Sequence, residues 1–416
     1  MLTFEEARLR LLDLAGRAGP RPIEPVPLDD ADGRVLAEDL LAPDDLPPFD
    51  ASTMDGYALS AAGLEAALAN PGEARGVLRV VGESRTGHPV SPLASGTAMR
   101  IFTGAELPSG ADAVVMQERV AALTGAGGPG ARFEAAARPY QCVRRRGSDL
   151  RAGELALAAG ARLGPAALGV AASCDRPTLE VFARPRVTLL TTGDELVPPG
   201  APRARGQLPE SNSVALVAMA RRAGATVIAR RTLPDDRAAT ARALGEALAT
   251  SELVLTVGGV SVGDHDVVRD ALADAGATLD FWKVAIKPGK PLAVGARGAS
   301  LFLGLPGNPA SAMVTFALFG VPLLRALGGE RAPLPRALTA RVLHDVAHEP
   351  GRLELVRAAL SVVDGALCAG AVTHQASGAS LGMARADALL AVPLESAGLR
   401  AGDAAVVYPF TELGLQ

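Results

Sequence analysis

Leu253-Val-Leu-Thr-Val257, running into Gly258-Gly-Val-Ser-Val-Gly-Asp-His-Asp266, decides the reading of the whole chain. The first five residues offer no polar face, which is the pattern of a strand covered on both sides, as in a parallel sheet under helices. The glycines that follow let backbone N–H groups approach an anion closely. Asp264 and Asp266 add oxygen donors of the kind a hard cation such as Mg²⁺ takes. Asp266 also stands where it caps the next helix, and His265 reads as a loop residue.

The same rhythm extends to either side. Upstream, strands are predicted at Val187–Leu190 and Thr226–Leu233, and helices at Asn212–Ala223, with Asn212 as its cap, and Asp236–Ala249. Downstream come a helix over Asp266–Ala275, strands at Leu279–Val284, Leu292–Val294 and Ser300–Leu305, and a helix over Ala310–Leu327. Strands alternating with helices imply right-handed crossovers and a doubly wound, mostly parallel α/β sheet.

In such folds ligands bind at the carboxyl ends of the strands, and further loops fall there. Thr191-Thr-Gly-Asp-Glu-Leu196 brings a glycine and two acids, and Asp235 and Asp236 follow the strand Thr226–Leu233. Trp282-Lys-Val-Ala-Ile-Lys-Pro-Gly-Lys-Pro291 sets Lys283, Lys287 and Lys290 in a proline-stiffened loop, suited to phosphates or a tetrahedral oxyanion. Gly304-Leu-Pro-Gly-Asn-Pro309 joins an apolar strand to an apolar helix, and a proline at the first helical position leaves free N–H groups facing the loop. Lysines, glycines and acids on one sheet edge describe a pocket for a phosphorylated ligand and a divalent metal. Phosphoryl or nucleotidyl chemistry follows.

The flanks differ. Thr3 and Glu6 form a capping box for a helix to about Ala18. Short strands and turns then continue to about Tyr140, among them Val77–Val81, Thr97–Phe102, Ala113–Gln117 and Arg132–Ala136. Beyond Arg331 short strands return, as in a small β-barrel or sandwich. The expected division is a first domain of residues 1–45 and 141–183, a β-rich domain 46–140, the α/β domain 184–328 and a C-terminal barrel 329–416.

Composition narrows the classes. The 416 residues are 49% hydrophobic and 21% charged with a formal net charge of -4, which excludes nucleic-acid binding by bulk positive charge. Three scattered cysteines argue against a disulfide framework or a cysteine-based zinc site and fit a reducing, cytoplasmic setting. The opening residues lack the pattern of a signal peptide. The uncharged run from Ala299 to Leu324 is broken at Pro306–Pro309, and what remains is shorter than the roughly 20 residues a bilayer requires, so no membrane role is expected.

Two motif matches fail. Gly125-Ala-Gly-Gly-Pro-Gly130 fits G-x-G-x-x-G, yet a strand-like segment follows it instead of a helix, so it reads as a hairpin loop. His344-Asp-Val-Ala-His348 has the spacing of a helical zinc motif, yet sits on a strand stopped by Pro350, and reads as a solvated strand end.

Taken together, Thr191-Thr-Gly-Asp-Glu-Leu, Gly-Gly-Val-Ser-Val-Gly-Asp, Trp-Lys-Val-Ala-Ile-Lys-Pro-Gly-Lys-Pro and Gly-Leu-Pro-Gly-Asn-Pro resemble the loops of the molybdopterin molybdenumtransferases. Ser52-Thr-Met-Asp-Gly-Tyr-Ala58, Ile101-Phe-Thr-Gly-Ala105 and Val143-Arg-Arg-Arg-Gly-Ser-Asp149 fall in the order of the same family. The resemblance implies an elongated homodimer of four-domain subunits that takes adenylylated molybdopterin and molybdate, releases AMP and uses Mg²⁺, with Zn²⁺ the alternative. It implies metal and nucleotide roles for Glu195, Asp235 and Asp266, and phosphate roles for Lys283, Lys287 and Lys290. Gly258, Gly259, Ser261 and Gly263 would line the substrate. Pro306, Gly307, Asn308 and Pro309, with Arg357 and Ser377, would shape the molybdate and pterin-phosphate end. Asp55, Thr103 and Arg144 would act across the dimer. A molybdopterin adenylyltransferase and molybdoenzyme apo-proteins are the partners the family suggests. A free-standing adenylyltransferase would share the α/β loops but needs neither flanking region, and a non-catalytic scaffold of the same fold would not need the pocket lysines and acids.

Overall fold

A computed structural model describes residues 1–19, 21–125, 128–259 and 267–416. The chain divides into two compact units. The larger comprises Met1–Glu38, Ala159–Gly164 and Thr178–Gln416, and the smaller Asp39–Ala158 and Pro165–Pro177.

The larger unit is built on the strand Leu253–Val257, all of it buried. It runs parallel to Arg186–Thr192 on one side and to Ser300–Leu305 on the other. Thr226–Leu233 adds in parallel beyond Arg186–Thr192. Ala293–Arg297 and Thr278–Trp282 close the opposite edge as antiparallel strands, so the parallel part is four strands of a six-stranded sheet. Side chains alternate between two cores. Leu253, Leu255 and Val257 face one that includes Leu216, Phe316 and Leu324, while Val254 and Phe302 face another with Leu244, Leu248 and Leu272. Helices Asn212–Arg222 and Pro309–Leu327 cover the first face, and Arg237–Thr250 and Val267–Asp274 the second. Helix starts differ from expectation in one respect. Ser211, not Asn212, occupies the cap position of the first helix, without a capping side-chain bond, and Asn212 lies inside the first turn with its amide donating to the Gly307 carbonyl at 2.7 Å.

The strand order turns back between Arg186–Thr192 and Leu253–Val257. Such a reversal opens a crevice at the carboxyl ends, because the loops from the two strands leave in opposite directions.

Thr3 caps the N-terminal helix Phe4–Arg17 reciprocally with Glu6, as its sequence predicts. Phe4, Ala7, Leu11 and Ala15 form its buried stripe, and the Phe4 ring meets Phe319 edge-on at 5.5 Å. The apolar helix Pro309–Leu327, charged only at Arg325, is 19 residues long, and 89% of its apolar window is buried inside the protein. It widens into one π turn at Phe316–Gly320.

C-terminally, Leu338–Val342, Leu353–Val363, Ala366–Ala371, Ala388–Val392 and Ala404–Pro409 close into a ring, a five-stranded barrel around Val356, Leu390 and Val407. Ile286–Lys287 joins its edge, parallel to Leu353–Glu354. The smaller unit holds a six-stranded sheet in the order Ala113–Met116, Gly56–Leu59, Thr97–Ile101, Val77–Ser84, Gly128–Phe133, Val120–Gly125. The last two pair antiparallel up to Gly125 and Gly128, the hairpin expected of the glycine cluster.

A Cβ at Gly320 would overlap the Phe316 ring inside the π turn. Alanine is a better helix former by about 1 kcal/mol, but overpacking a core costs typically about 1–3 kcal/mol. Gly320→Ala is therefore expected to lower the urea midpoint; an unchanged or raised midpoint would show that the ring moves aside freely.

Candidate active site

The crevice at the strand reversal is a cleft of about 580 Å³. Its floor is where glycines from two loops meet: a Cβ on Gly307 would lie 3.6 Å from Gly258 Cα. Gly258 (φ +90°) and Gly259 (φ +64°) adopt left-handed backbone. A Cβ on Gly258 would come within 3.0 Å of the Thr192 carbonyl oxygen, and one on Gly259 within 2.5 Å of Val268 Cγ2. Glycine is required here by both conformation and room. Pro309, which has no N–H to satisfy, opens its helix at the first position with Asn308 as the cap, and the next amide, Ala310 N, is taken by the Ser377 carbonyl at 3.0 Å.

Acids stand on the opposite wall. Glu195 and Asp235 line the cleft. Asp194 and Asp235 clasp each other's loops, each carboxylate accepting from the other's backbone N–H, at 3.3 and 3.4 Å. Asp236 is the helix cap, accepting from Ala239 N at 2.6 Å, which leaves Asp235 to the cleft. Among the described residues no three metal-ligating side chains lie together. Ser261, Gly263, Asp264 and Asp266 fall outside the described residues.

The lysine loop folds as a hairpin, Lys283 N donating to the Leu292 carbonyl at 3.2 Å and Val284 N to that of Lys290 at 3.1 Å. A Cβ on Gly289 would overlap Thr315, so the loop lies flat on the helix after Pro309. Pro291 lines the cleft; Lys283, Lys287 and Lys290 are not among its lining residues. Lys283 has φ +82°, a sparsely populated conformation that costs on the order of 1–3 kcal/mol and clusters at functional sites. Its ammonium lies 4.8 Å from the centre of the Trp282 ring. Lys287 pairs with Glu354 on the adjoining barrel strand at 2.9 Å.

Glu354 also binds His348 Nδ1 at 2.8 Å. His348 is therefore not a solvated strand end: its side chain is 1% exposed, and Nε2 is buried without a partner among the described residues. The network joins residues far apart in sequence and was invisible there.

Arg357 is fully buried. Burial pulls its guanidinium below the ordinary arginine value, and the charge of Glu354 opposes that shift. Its donors reach the His374 carbonyl at 3.0 and 3.2 Å and that of Ala376 at 3.3 Å, while Nη1 is buried without a partner among the described residues. Arg357 thus holds the loop His374–Ser377 in place. That loop meets the cleft, Ala310 N donating to the Ser377 carbonyl at 3.0 Å and Asn308 Nδ2 to Ser377 Oγ at 3.1 Å. Sequence reasoning also missed the work of Glu210, which is buried, accepts from Ser213 N at 2.9 Å and pairs with Arg230 at 3.1 Å, anchoring the helix beside the cleft.

In the smaller unit Asp55 and Thr103 come together: the Asp55 carboxylate accepts from the Thr103 amide and hydroxyl, each at 2.8 Å. The amide bond first, then the hydroxyl, holds the Asp55 carboxyl below its usual range. Arg144 pairs with Asp149.

A glycine-floored, acid-walled cleft at the switch point of a doubly wound sheet, joined to a barrel loop, is the ligand site of an α/β enzyme. Comparison with known proteins gives it a lineage. Residues 2–174 match the model for the MoeA N-terminal region (domain I and II), 188–326 that for the probable molybdopterin binding domain, and 339–410 that for the MoeA C-terminal region (domain IV). A molybdopterin molybdenumtransferase of Haemophilus influenzae is 34% identical over 99% of this chain and 100% of its own. One of Nostoc sp. is 36% identical over 89% of this chain and 85% of its own. The crystal structure of the molybdopterin biosynthesis moeA protein from Pyrococcus horikoshii OT3 superposes with a TM-score of 0.83 at 27% identity, over 98% of this chain and 100% of that one. The chain belongs to the molybdopterin molybdenumtransferase family.

Two outcomes test the geometry. Glu354→Ala strips a charged partner from a buried imidazole, and bonds to charged groups contribute about 1.5–3 kcal/mol; a loss of that order in urea unfolding is expected, and a loss below about 0.5 kcal/mol would refute the network. Thr103→Val removes a donor from Asp55, whose carboxyl, followed by NMR titration, is expected to move up toward its ordinary range. The bond's contribution to stability is full above the ordinary carboxylate pKa and fades as pH falls through the depressed one, so the wild-type advantage over Thr103→Val should vanish in acid.

Proposed function

We propose that this protein inserts molybdenum into adenylylated molybdopterin, converting it and molybdate to molybdenum cofactor and AMP. The observation that carries the reading is the cleft itself, whose glycine floor at Gly258, Gly259 and Gly307 shares its lining with Glu195 and Asp235 beside the Arg357-held barrel loop. The adenylyltransferase alternative is not favoured, because full-length relatives over the entire chain carry the molybdenumtransferase name.

The roles follow from chemistry. Gly258, Gly259 and Gly307 let the phosphoanhydride approach the backbone closely at the floor of the cleft. Ser377, with Asn308 beside it, supplies neutral donors for a tetrahedral oxyanion. Lys283, Lys287 and Lys290 supply positive charge at the rim, with Lys287 drawing on its exchange with Glu354. Glu195 and Asp235, with Asp266, are hard oxygen donors suited to Mg²⁺, or alternatively Zn²⁺. Such an ion, when bound, offsets charge on the leaving phosphate. We further propose a cytoplasmic homodimer in which Asp55, Thr103 and Arg144 of one subunit serve the cleft of the other. A molybdopterin adenylyltransferase would supply its substrate and molybdoenzyme apo-proteins would receive its product.

Purified protein with adenylylated molybdopterin, molybdate and Mg²⁺ is expected to release AMP, stimulated by molybdate. Asp235→Asn should lower the rate at least about 100-fold, the scale of losing a charge-stabilising group. Well-folded wild type that releases no AMP under these conditions would sink the reading.

A further inference from the structure

Lys287 is tied to the barrel twice. Its backbone lies in the two-residue strand Ile286–Lys287, with Lys287 directly opposite Glu354 in parallel register. Its ammonium then closes on Glu354 Oε1 at 2.9 Å. Pro291 of the same hairpin lines the cleft, while Lys287 does not. The part of Lys287 free to move is its side chain, a flexible four-carbon stem about half exposed to solvent.

Glu354 is the opposite case. Its side chain is 15% exposed, and its second oxygen, Oε2, meets His348 Nδ1 at 2.8 Å. A carboxylate only accepts, so Nδ1 carries the hydrogen and donates it. The imidazole is buried, and the His348 backbone N–H is bonded to the Ala397 carbonyl at 3.2 Å. The lysine can therefore leave the acid, but the acid cannot follow the lysine.

Two anions thus compete for one ammonium. On the reading above, a phosphate or other tetrahedral oxyanion engages Lys287, and it does so only by taking it from Glu354. Each such capture leaves a mostly buried carboxylate with His348 as its remaining partner. Stripping the partner from a buried charge is costly, whereas pairs open to water contribute little. With the acid mostly buried and the lysine half in water, the restraint falls between those limits. It is enough to weaken oxyanion binding several-fold and too little to forbid it.

We propose that Glu354, held by His348, is a positioning residue that parks Lys287 against the barrel and so lowers the affinity of the cleft for tetrahedral oxyanions. The choice of ligand rests on the proposed role of Lys287 toward phosphate or molybdate. An enzyme that must let AMP go gains from a lysine with a second partner to return to.

The test is equilibrium binding of AMP and, separately, of molybdate to the full-length protein with Mg²⁺ present, by calorimetry. It compares wild type, Glu354→Gln, Lys287→Ala and the double variant. Glutamine keeps an oxygen to accept from His348 and loses the charge that holds Lys287. Circular dichroism and the urea midpoint establish folding. Glu354→Asp, which draws the carboxylate back by one methylene, replaces the glutamine variant if that one does not fold, with the same expectation. Expected is binding of at least one ligand about three- to tenfold tighter than in wild type, a gain that disappears on the Lys287→Ala background. Mere damage to the barrel edge would weaken binding instead. A gain for AMP alone gives Lys287 to the nucleotide phosphate, and a gain for molybdate alone gives it to the metal oxyanion. Binding of both ligands unchanged or weakened overturns the proposal. So does a gain that survives Lys287→Ala, which would make Glu354 a through-space charge and not the partner of the lysine. A Lys287-dependent gain in protein that never releases AMP from adenylylated molybdopterin upholds the parking and refutes the transferase reading. Turnover by wild type with binding indifferent to Glu354→Gln does the reverse.

Discussion

Everything at the cleft depends on the strand Leu253–Val257 being buried on both faces between two parallel neighbours. With no polar face to give to water, it has only one stable position, the middle of a covered sheet. Its parallel register with Arg186–Thr192 and Ser300–Leu305 then brings three loops to one level: Val257 lies opposite Thr191 and opposite Leu305. A slip by one residue would exchange the two core faces of the strand, replacing Leu253, Leu255 and Val257 on one face with Val254 and Thr256. The contact of Gly258 with Gly307 follows from that register and does not have to be specified separately.

Much of the α/β unit was legible because its strands are unbroken apolar runs between punctuating glycines. Thr226–Leu233, Leu253–Val257 and Ser300–Leu305 fold over the bounds their sequence suggests. The β-rich regions were harder. Gly56–Leu59 and the alanine- and glycine-rich Ala366–Ala371 are not among the strands the sequence predicts; both become strands because neighbours already in place offer them partners. The π turn at Phe316–Gly320 leaves no mark on an apolar helix pattern, because it answers to ring packing.

At the site, loop identity was legible and side-chain partnership was not. Glycines and prolines announce their backbone roles locally, so Gly258, Gly259 and Pro309 could be placed from sequence. The charged groups could not. Lys287 looks like a free phosphate-holding ammonium until the barrel brings Glu354 to it, and His348 looks exposed until the same carboxylate draws it inside. Arg357 lies in a run of apolar residues and turns out to hold a loop by its carbonyls, a role no local pattern encodes.

The two-residue strand Ile286–Lys287 covers Leu353–Glu354 on the side that Ala366–Ala371 leaves bare, since the latter pairs only from Ala358 onward. The C-terminal barrel is thus finished by a piece of chain that precedes it by more than a helix and two strands. Its boundary in sequence is not its boundary as a folding body. Cut out on its own, the barrel would present an unpaired strand edge of the kind that recruits other chains. Exchanged between relatives, it would have to find a lysine loop whose backbone still fits that edge. The unit that can be inherited or engineered as a module is therefore the α/β domain and barrel together.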